Sequence, residues 1–171
     1  MSKISQTAKQ LSEFLNLIQQ DRENIERVIR EVKEKDIDAE FIVHPKSETV
    51  EDSSKNTGYN PEKIVKTLIF VAEEPIAVMC PGHTSVSEQK LEEITGHEPR
   101  MATPEEVEEH TGYQIGGVSP FDLDIKTYME KTILDEQEVK PAAGSKVTGV
   151  SIKPEDLKKA SEAEAKDLSR K

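Results

Sequence analysis

The sequence predicts a mixed α/β domain of the α+β kind: a largely antiparallel sheet with helices packed around it. Three observations carry this. Short β-rich runs alternate irregularly with short amphipathic segments, without the regular strand–helix–strand succession of a doubly wound sheet. The two most apolar runs, Ile64–Ala72 and Ile76–Cys80, are separated only by Glu73-Glu-Pro75, so they read as a hairpin central to the sheet. Finally, 171 residues of which 34% are apolar suffice for the core of one domain.

The elements follow in order. Leu11, Phe14, Leu15 and Ile18 lie at helical spacing and predict a first amphipathic helix over 5–19. Ile25, Val28, Ile29 and Val32 predict a second, with Asp21 and Glu23 at its start and Lys33 and Lys35 at its end, as the helix dipole prefers. The two helices form a hairpin around Gln19–Asp21, and the apolar stripe of the first packs most simply on its own domain. Glu40–His44 reads as a short strand. Thr49-Val-Glu-Asp52 has the character of a capping box and predicts a helix to about Asn56, with Gly58 beyond it. After the hairpin, Ser87 caps a helix through Ile94 that Gly96 stops. Thr103-Pro-Glu-Glu106 supplies N-cap, N1 proline and N3 glutamate for a helix ending at Gly112. Ile125–Tyr128, Lys131–Leu134 and Val147–Ile152 read as strands, and Pro154 opens a last helix. The charged remainder from about Ser161 is expected to fray.

Net charge is −11, concentrated in residues 61–120, which hold 4 basic and 11 acidic side chains. Such a chain is not expected to bind DNA or long nucleic acid through phosphate neutralisation; a nucleic-acid partner must be touched locally, at one end or one small patch. No run of about 18 apolar residues appears, and the N-terminus lacks the apolar segment of a signal peptide, so no membrane contact and a cytoplasmic location are expected. The single cysteine, Cys80, excludes an internal disulfide and a cysteine-cluster zinc site, and the four histidines show no ligand spacing, so neither metal nor cofactor is implied.

Four features are candidates for chemistry, each with a plain structural alternative. Lys66 stands in an otherwise apolar strand and shares a face with Leu68 and Phe70. It either snorkels its ammonium to water or holds a fixed cation at the mouth of a cleft. Thr111-Gly-Tyr-Gln-Ile-Gly-Gly-Val-Ser-Pro-Phe-Asp122 contains three of the eight glycines. Its Gly116–Pro120 turn is either a tight corner or a nest of backbone N–H groups for a carbonyl oxygen or anion. Ala142-Ala-Gly-Ser145 is a turn or a second ligand-facing loop. His44, at a strand end before Pro45, is a surface residue or part of the same cleft. Cys80 ends an apolar strand and is expected to be a buried, unreactive thiol.

In order and spacing these pieces resemble the YbaK family, the aminoacyl-tRNA deacylase domain also found inside some prolyl-tRNA synthetases. The resemblance runs from about residue 22 to 160. It is carried by Thr49-Val-Glu-Asp-Ser-Ser54, Ile64-Val-Lys-Thr-Leu68, the Thr111–Phe121 stretch, Ile133-Leu-Asp-Glu136, Ala143-Gly144 and Ile152-Lys-Pro-Glu-Asp-Leu157. It implies an additional helix over 1–20, a deacylase domain over 21–160 and a charged tail over 161–171, with the sheet partly closed.

The implied activity is metal-independent hydrolysis of the ester on a mischarged tRNA, a small amino acid on the proline tRNA or a related one. The partners would be the aminoacylated 3′ end and an aminoacyl-tRNA synthetase. Lys66 matches the family's functional lysine. Gly116, Gly117, Val118, Ser119 and Pro120 match its glycine–proline loop, whose backbone contacts the aminoacyl group. Gly144 and Ser145 fall at the loop that closes the pocket, and His44 at the strand end that shapes it. With no acidic or histidine base obvious near the loop, the tRNA's own ribose hydroxyl would orient or deprotonate the attacking water. Two departures stand out: Asp122 occupies a position that is often glycine in the family, and Gly149 one that in some members is a carboxylate. The alternative is a non-catalytic module of the same fold that binds an amino acid or the aminoacyl-tRNA 3′ end. Alanine, cysteine, serine and proline esters all remain open.

Overall fold

The computed structural model describes residues 3–46, 51, 54, 55 and 58–170. Two helices lead the chain, α1 (Lys3–Gln20) and α2 (Arg22–Glu34). The strands are β1 (Ala39–Val43), β2 (Ile64–Ala72), β3 (Glu74–Pro81), β4 (Ser85–Val86), β5 (Arg100–Met101), β6 (Lys126–Glu130), β7 (Lys140–Pro141), β8 (Thr148–Ile152), β9 (Glu164–Lys166) and β10 (Ser169–Arg170). Between them lie α3 (Glu88–Thr95), α4 (Pro104–Thr111) and α5 (Pro154–Ser161). The helix expected from Thr49 to Asn56 falls largely on residues outside the described ones.

The β2–β3 hairpin is central, with Val65 opposite Pro81 and Ala72 opposite Glu74. β6 and then β9 add in parallel beyond β3, while β5 (antiparallel) and β7 (parallel) share the other edge of β2. β1 pairs with β8, and bridges at Val139–Ile152 and Ala142–Gly149 join β8 to the β7 region. The sheet is thus mixed and curled, with β1 and β9 at its ends rather than closed into a barrel. One face packs against α2, α4 and α5 through Val28, Val32, Val107, Leu157 and Ala160, with Tyr113 and Phe121 buried beside them. The other face, carrying Phe70, Val78, Cys80 and Tyr128, is covered by Leu91 of α3 and by Leu168.

The predicted caps appear as hydrogen bonds. Ser87 accepts from Lys90 N–H, and Thr103 and Glu106 form the reciprocal box that starts α4. Three expectations are corrected. Lys131–Leu134 is not a strand: Lys131–Asp135 is a 3₁₀ turn, because the Glu130 carboxylate accepts from the N–H and hydroxyl of Thr132 and folds the chain back at the end of β6. The tail does not fray. α5 runs to Ser161, β9 extends the sheet, and β10 pairs with β4. Its charges point outward while Ala163 and Leu168 are buried, a pattern too sparse in apolar residues to register in the sequence. The α1 stripe is also only partly used: Phe14, Leu17 and Ile18 turn toward the chain, but Leu11 and Leu15 are 56% and 55% exposed.

Candidate active site

β5 covers β2 at Phe70 and Val71, and β7 covers it at Ile64 and Val65. Among the described residues no strand pairs with the stretch of β2 edge between them, and a cavity of about 340 Å³ opens there. Its walls are largely apolar, with Ile42, Ile69, Met101, Val107 and Val118 among them. Its polar lining is one-sided. Lys66, Lys140, Lys146 and His44 reach it, and no aspartate or glutamate does among the described residues. Lys140 is paired behind the wall, 3.1 Å from Glu138 Oε2, and donates to Ser151 Oγ at 2.7 Å.

The glycine turn forms one wall. α4 stops at Gly112, Tyr113 is buried with its hydroxyl donating to Phe121 O at 2.7 Å, and the chain turns at Gly116, whose φ is +95°. Burial pushes the Tyr113 phenol up to about 12, so it stays a donor. Gly117 donates its N–H to Gln114 O at 2.9 Å and closes the turn. No hydrogen bond within the described residues takes the N–H of Gly116 or Val118, the two residues of the turn that line the cavity.

The Ala142–Ser145 loop lies directly behind. A Cβ on Gly117 would stand 2.9 Å from the backbone N and Cα of Ser145, so the loops touch backbone to backbone. Ser145 is fixed by its hydroxyl, 2.7 Å from that of Thr148 and accepting from Val147 N–H. Gly144 in turn meets α2, where a Cβ would lie 2.7 Å from Asn24 O. The stem of Lys146 crosses Gly116, with its Cε 2.8 Å from where a Cβ would be. The charge of Lys146 is felt at Asp21, whose carboxyl is pushed up by burial and pulled the other way by the lysine.

Of the residues expected from sequence, the structure brings Lys66, Gly116, Val118, Ser145 and His44 to the cavity. Gly117, Ser119, Pro120 and Gly144 stand behind its wall. Ser119 is fully buried, and its hydroxyl accepts from Phe121 N–H. Lys66 is directed differently from expectation: its ammonium donates to the Thr84 carbonyl in the β3–β4 turn. Thr84 also contacts Cys80 Sγ at 3.0 Å and Ser169 Oγ at 3.4 Å. Burial pushes the Cys80 thiol up, as expected of an unreactive cysteine. His44 places Nδ1 2.7 Å from the Pro45 carbonyl, to which it can only donate.

Sequence reasoning missed Thr67. It is 8% exposed, lines the cavity, and its hydroxyl is buried with no hydrogen-bond partner. The signal was present, since Thr67 is the one polar residue on the β2 face of Val65 and Ile69. Lys140 and Lys146 were missed as well; they flank the Pro141–Ser145 loop, and Lys140 lies over the Tyr59 ring at 4.4 Å.

Residues 44–160 match the model of the aminoacyl-tRNA editing domain family. The YwhH protein of Bacillus subtilis (strain 168) is 34% identical over 115 residues, 65% of this chain and 73% of its own. The proline–tRNA ligase of Nitratidesulfovibrio vulgaris (strain Hildenborough) is 35% identical over 102 residues, and the matched region is 17% of that enzyme's length. Among solved structures, that of a protein proposed as a trans-editing enzyme for prolyl-tRNA synthetase superposes with a TM-score of 0.81 at 26% identity, over 86% of this chain and 98% of that one. With the glycine turn, the second loop and the cation-lined cavity in the matched segment, the chain belongs to the aminoacyl-tRNA editing domain family.

Proposed function

We propose that this protein is a trans-editing deacylase that hydrolyses the ester joining a small, wrongly attached amino acid to the 3′ adenosine of a tRNA, the proline tRNA or a related one. The observation that supports it most is the pair of N–H groups on Gly116 and Val118, unclaimed among the described residues, at the wall of a cavity that no described carboxylate lines. The aminoacyl carbonyl oxygen accepts from them, and both bonds strengthen as water adds and the oxygen becomes an oxyanion. The carbon–oxygen bond to the ribose then breaks. The proton lost by water passes to the departing ribose oxygen, relayed by the neighbouring hydroxyl of the same ribose. The protein's share is positioning and electrostatics rather than acid–base chemistry. Lys66 exchanges the Thr84 carbonyl for the terminal phosphate or the developing oxyanion, and Lys140 and Lys146 favour the phosphate side of the cavity. The apolar walls take the amino-acid side chain.

Contact with only the acylated end suits a chain of net charge −11, because it needs few phosphate contacts. A synthetase partner would supply the grip on the tRNA body. A second reading, a module that binds the aminoacyl end without cleaving it, has one observation in its favour: the Lys66 ammonium is taken by the Thr84 carbonyl. Single-turnover deacylation of tRNAs charged with alanine, serine, cysteine and proline separates the two. Hydrolysis of at least one ester is expected, and Lys66→Ala should lower it roughly a hundredfold or more with the fold intact. Binding without hydrolysis for every ester would establish the second reading. Near wild-type turnover by the variant would remove Lys66 from the reaction.

A further inference from the structure

We propose that Arg27 of α2, outside the segment that matches the family model, is the positioning residue of the glycine turn. One guanidinium holds both ends of the segment that carries the turn. At the entering end, Nη1 donates to Thr111 O at 2.8 Å. At the leaving end, Nη2 donates to Asp122 O at 2.7 Å and Nε to Asp122 Oδ2 at 3.0 Å. Between them the guanidinium lies over the Tyr113 ring, 4.1 Å from its centroid. Its Nη1 passes 2.8 Å from the site a Cβ would take on Gly112, so a side chain there would displace it. Asn24, one turn earlier, donates to Gly112 O and accepts from Nη1.

This arrangement accounts for Asp122. Its φ is +56°, a left-handed backbone that glycine adopts freely and aspartate tolerates better than most residues. In that conformation its carbonyl and its carboxylate meet the same guanidinium, so a residue without a carboxylate at this position would leave Nε without its partner. The interior of the turn, by contrast, has a single backbone–backbone bond among the described residues, Gly117 N–H to Gln114 O, and its base is closed by the Tyr113 hydroxyl, which donates to Phe121 O under the guanidinium. The placement of the Gly116 and Val118 N–H groups therefore depends on how firmly the two ends are held. A planar guanidinium with five donors can hold two carbonyls and a carboxylate at once, which a lysine cannot.

The catalytic part of this inference rests on the deacylase reading; the structural part does not. Two measurements keep them apart. Amide hydrogen exchange in Arg27→Met is expected to speed up more than tenfold at Tyr113 and Gly117, with the Ala77 and Val78 amides of β3 unchanged. Single-turnover deacylation should fall at least tenfold at saturating enzyme, with the tRNA concentration dependence within twofold of wild type. Arg27→Lys should recover only part of both effects, and Asp122→Asn, which leaves both carbonyl contacts in place, should show the smallest. Unchanged exchange at Tyr113 and Gly117 in a folded Arg27→Met protein would overturn the proposal, as would acceleration there no greater than in β3. Should Arg27→Met fail to fold, unchanged exchange in both Arg27→Lys and Asp122→Asn would overturn it. A wild-type protein that cleaves no ester would refute the deacylase reading, while the exchange experiment would still decide the role of Arg27.

Discussion

Gly117→Ala tests whether the spacing of two loops, rather than any side chain, sets the geometry of the site. Gly117 does not line the cavity and its φ is not in the left-handed region, so backbone strain is not at issue. The obstacle is the backbone of the next loop. An added Cβ meets Ser145 N and Cα at 2.9 Å and Gly144 C at 3.1 Å. Carbon contacts relax at about 3.5 Å, so the loops must part by roughly 0.5 Å. Neither can retreat easily, because Gly144 already lies against Asn24 O of α2 and Ser145 is pinned by Thr148 and Val147. Overpacking of this kind costs about 1–3 kcal/mol, or on the order of 3–10 °C in melting temperature for a chain of this size. The Val118 N–H, one residue on, moves with Gly117. If it is one of the two donors to the oxyanion, its misplacement removes about 3 kcal/mol of transition-state stabilisation, roughly a hundredfold in rate. Single-turnover deacylation and a thermal melt together read both quantities. A variant that melts several degrees lower yet cleaves within threefold of wild type would refute the reasoning, since the loops would have parted without disturbing the reacting groups.

Two other perturbations have outcomes fixed by the structure. Thr67→Val removes a buried hydroxyl that has no partner, so the protein should gain roughly 1 kcal/mol of stability, given that an unsatisfied buried group costs about 1–3 kcal/mol. Deacylation should stay within about threefold of wild type, because the hydroxyl has no exposed surface in the cavity; a tenfold loss would contradict this. Glu130 concerns acid stability. Burial pushes its carboxyl up, but hydrogen bonds from the Thr132 hydroxyl and from the N–H groups of Leu168, Thr132 and Ser169 outweigh burial and hold it below the usual carboxylate range. A depressed folded value means stability that is fully present above the unfolded value of about 4.3 and is lost as pH falls through the folded one. Glu130→Gln should therefore melt lower at neutral pH, by about 2–4 kcal/mol if two charge-assisted bonds are lost, and show a flatter acid limb in melts between pH 7 and 3. Parallel pH curves for the two proteins would contradict this.

The parts of the fold legible in the sequence are those with local causes. The α4 start was fixed by Thr103, Pro104 and Glu106 reading one another over a single turn, and the central hairpin by nine and eight residues of β-rich chain at its two strands. The features that were misread have distant causes. Lys131–Leu134 has strand-like composition, but a carboxylate at the preceding position captures its backbone and tightens it. The tail looks like solvent-bound chain because its anchors are elsewhere: Glu130 takes its N–H groups, and Lys90 takes Asp167 and the Ser169 carbonyl. At the site, composition could point to Gly116 and to Lys66 but not to where each is aimed. The direction of the Lys66 ammonium depends on the Thr84 carbonyl 18 residues away, and Arg27 meets Asp122 across 95 residues. Neither contact leaves a periodic or short-range trace.

These distant contacts share a logic. The matched segment supplies nearly all of the cavity walls, Ile42 excepted, whereas the walls are braced by chain outside that segment. α2 holds the glycine turn through Arg27 and the second loop through the approach of Gly144 to Asn24. The C-terminal strand holds the other wall: β10 pairs with Ser85 and Val86, and Ser169 reaches Thr84, whose carbonyl receives Lys66. Electrostatic stabilisation of an oxyanion works only if the donors do not have to reorganise as charge develops. A turn whose Gly116–Val118 stretch has one backbone–backbone hydrogen bond, and a lysine on a flexible stem, gain that rigidity from what holds them at their ends. Bracing from both ends of the chain is what would let a small apolar cavity with few polar groups act on an ester whose own ribose supplies the proton relay.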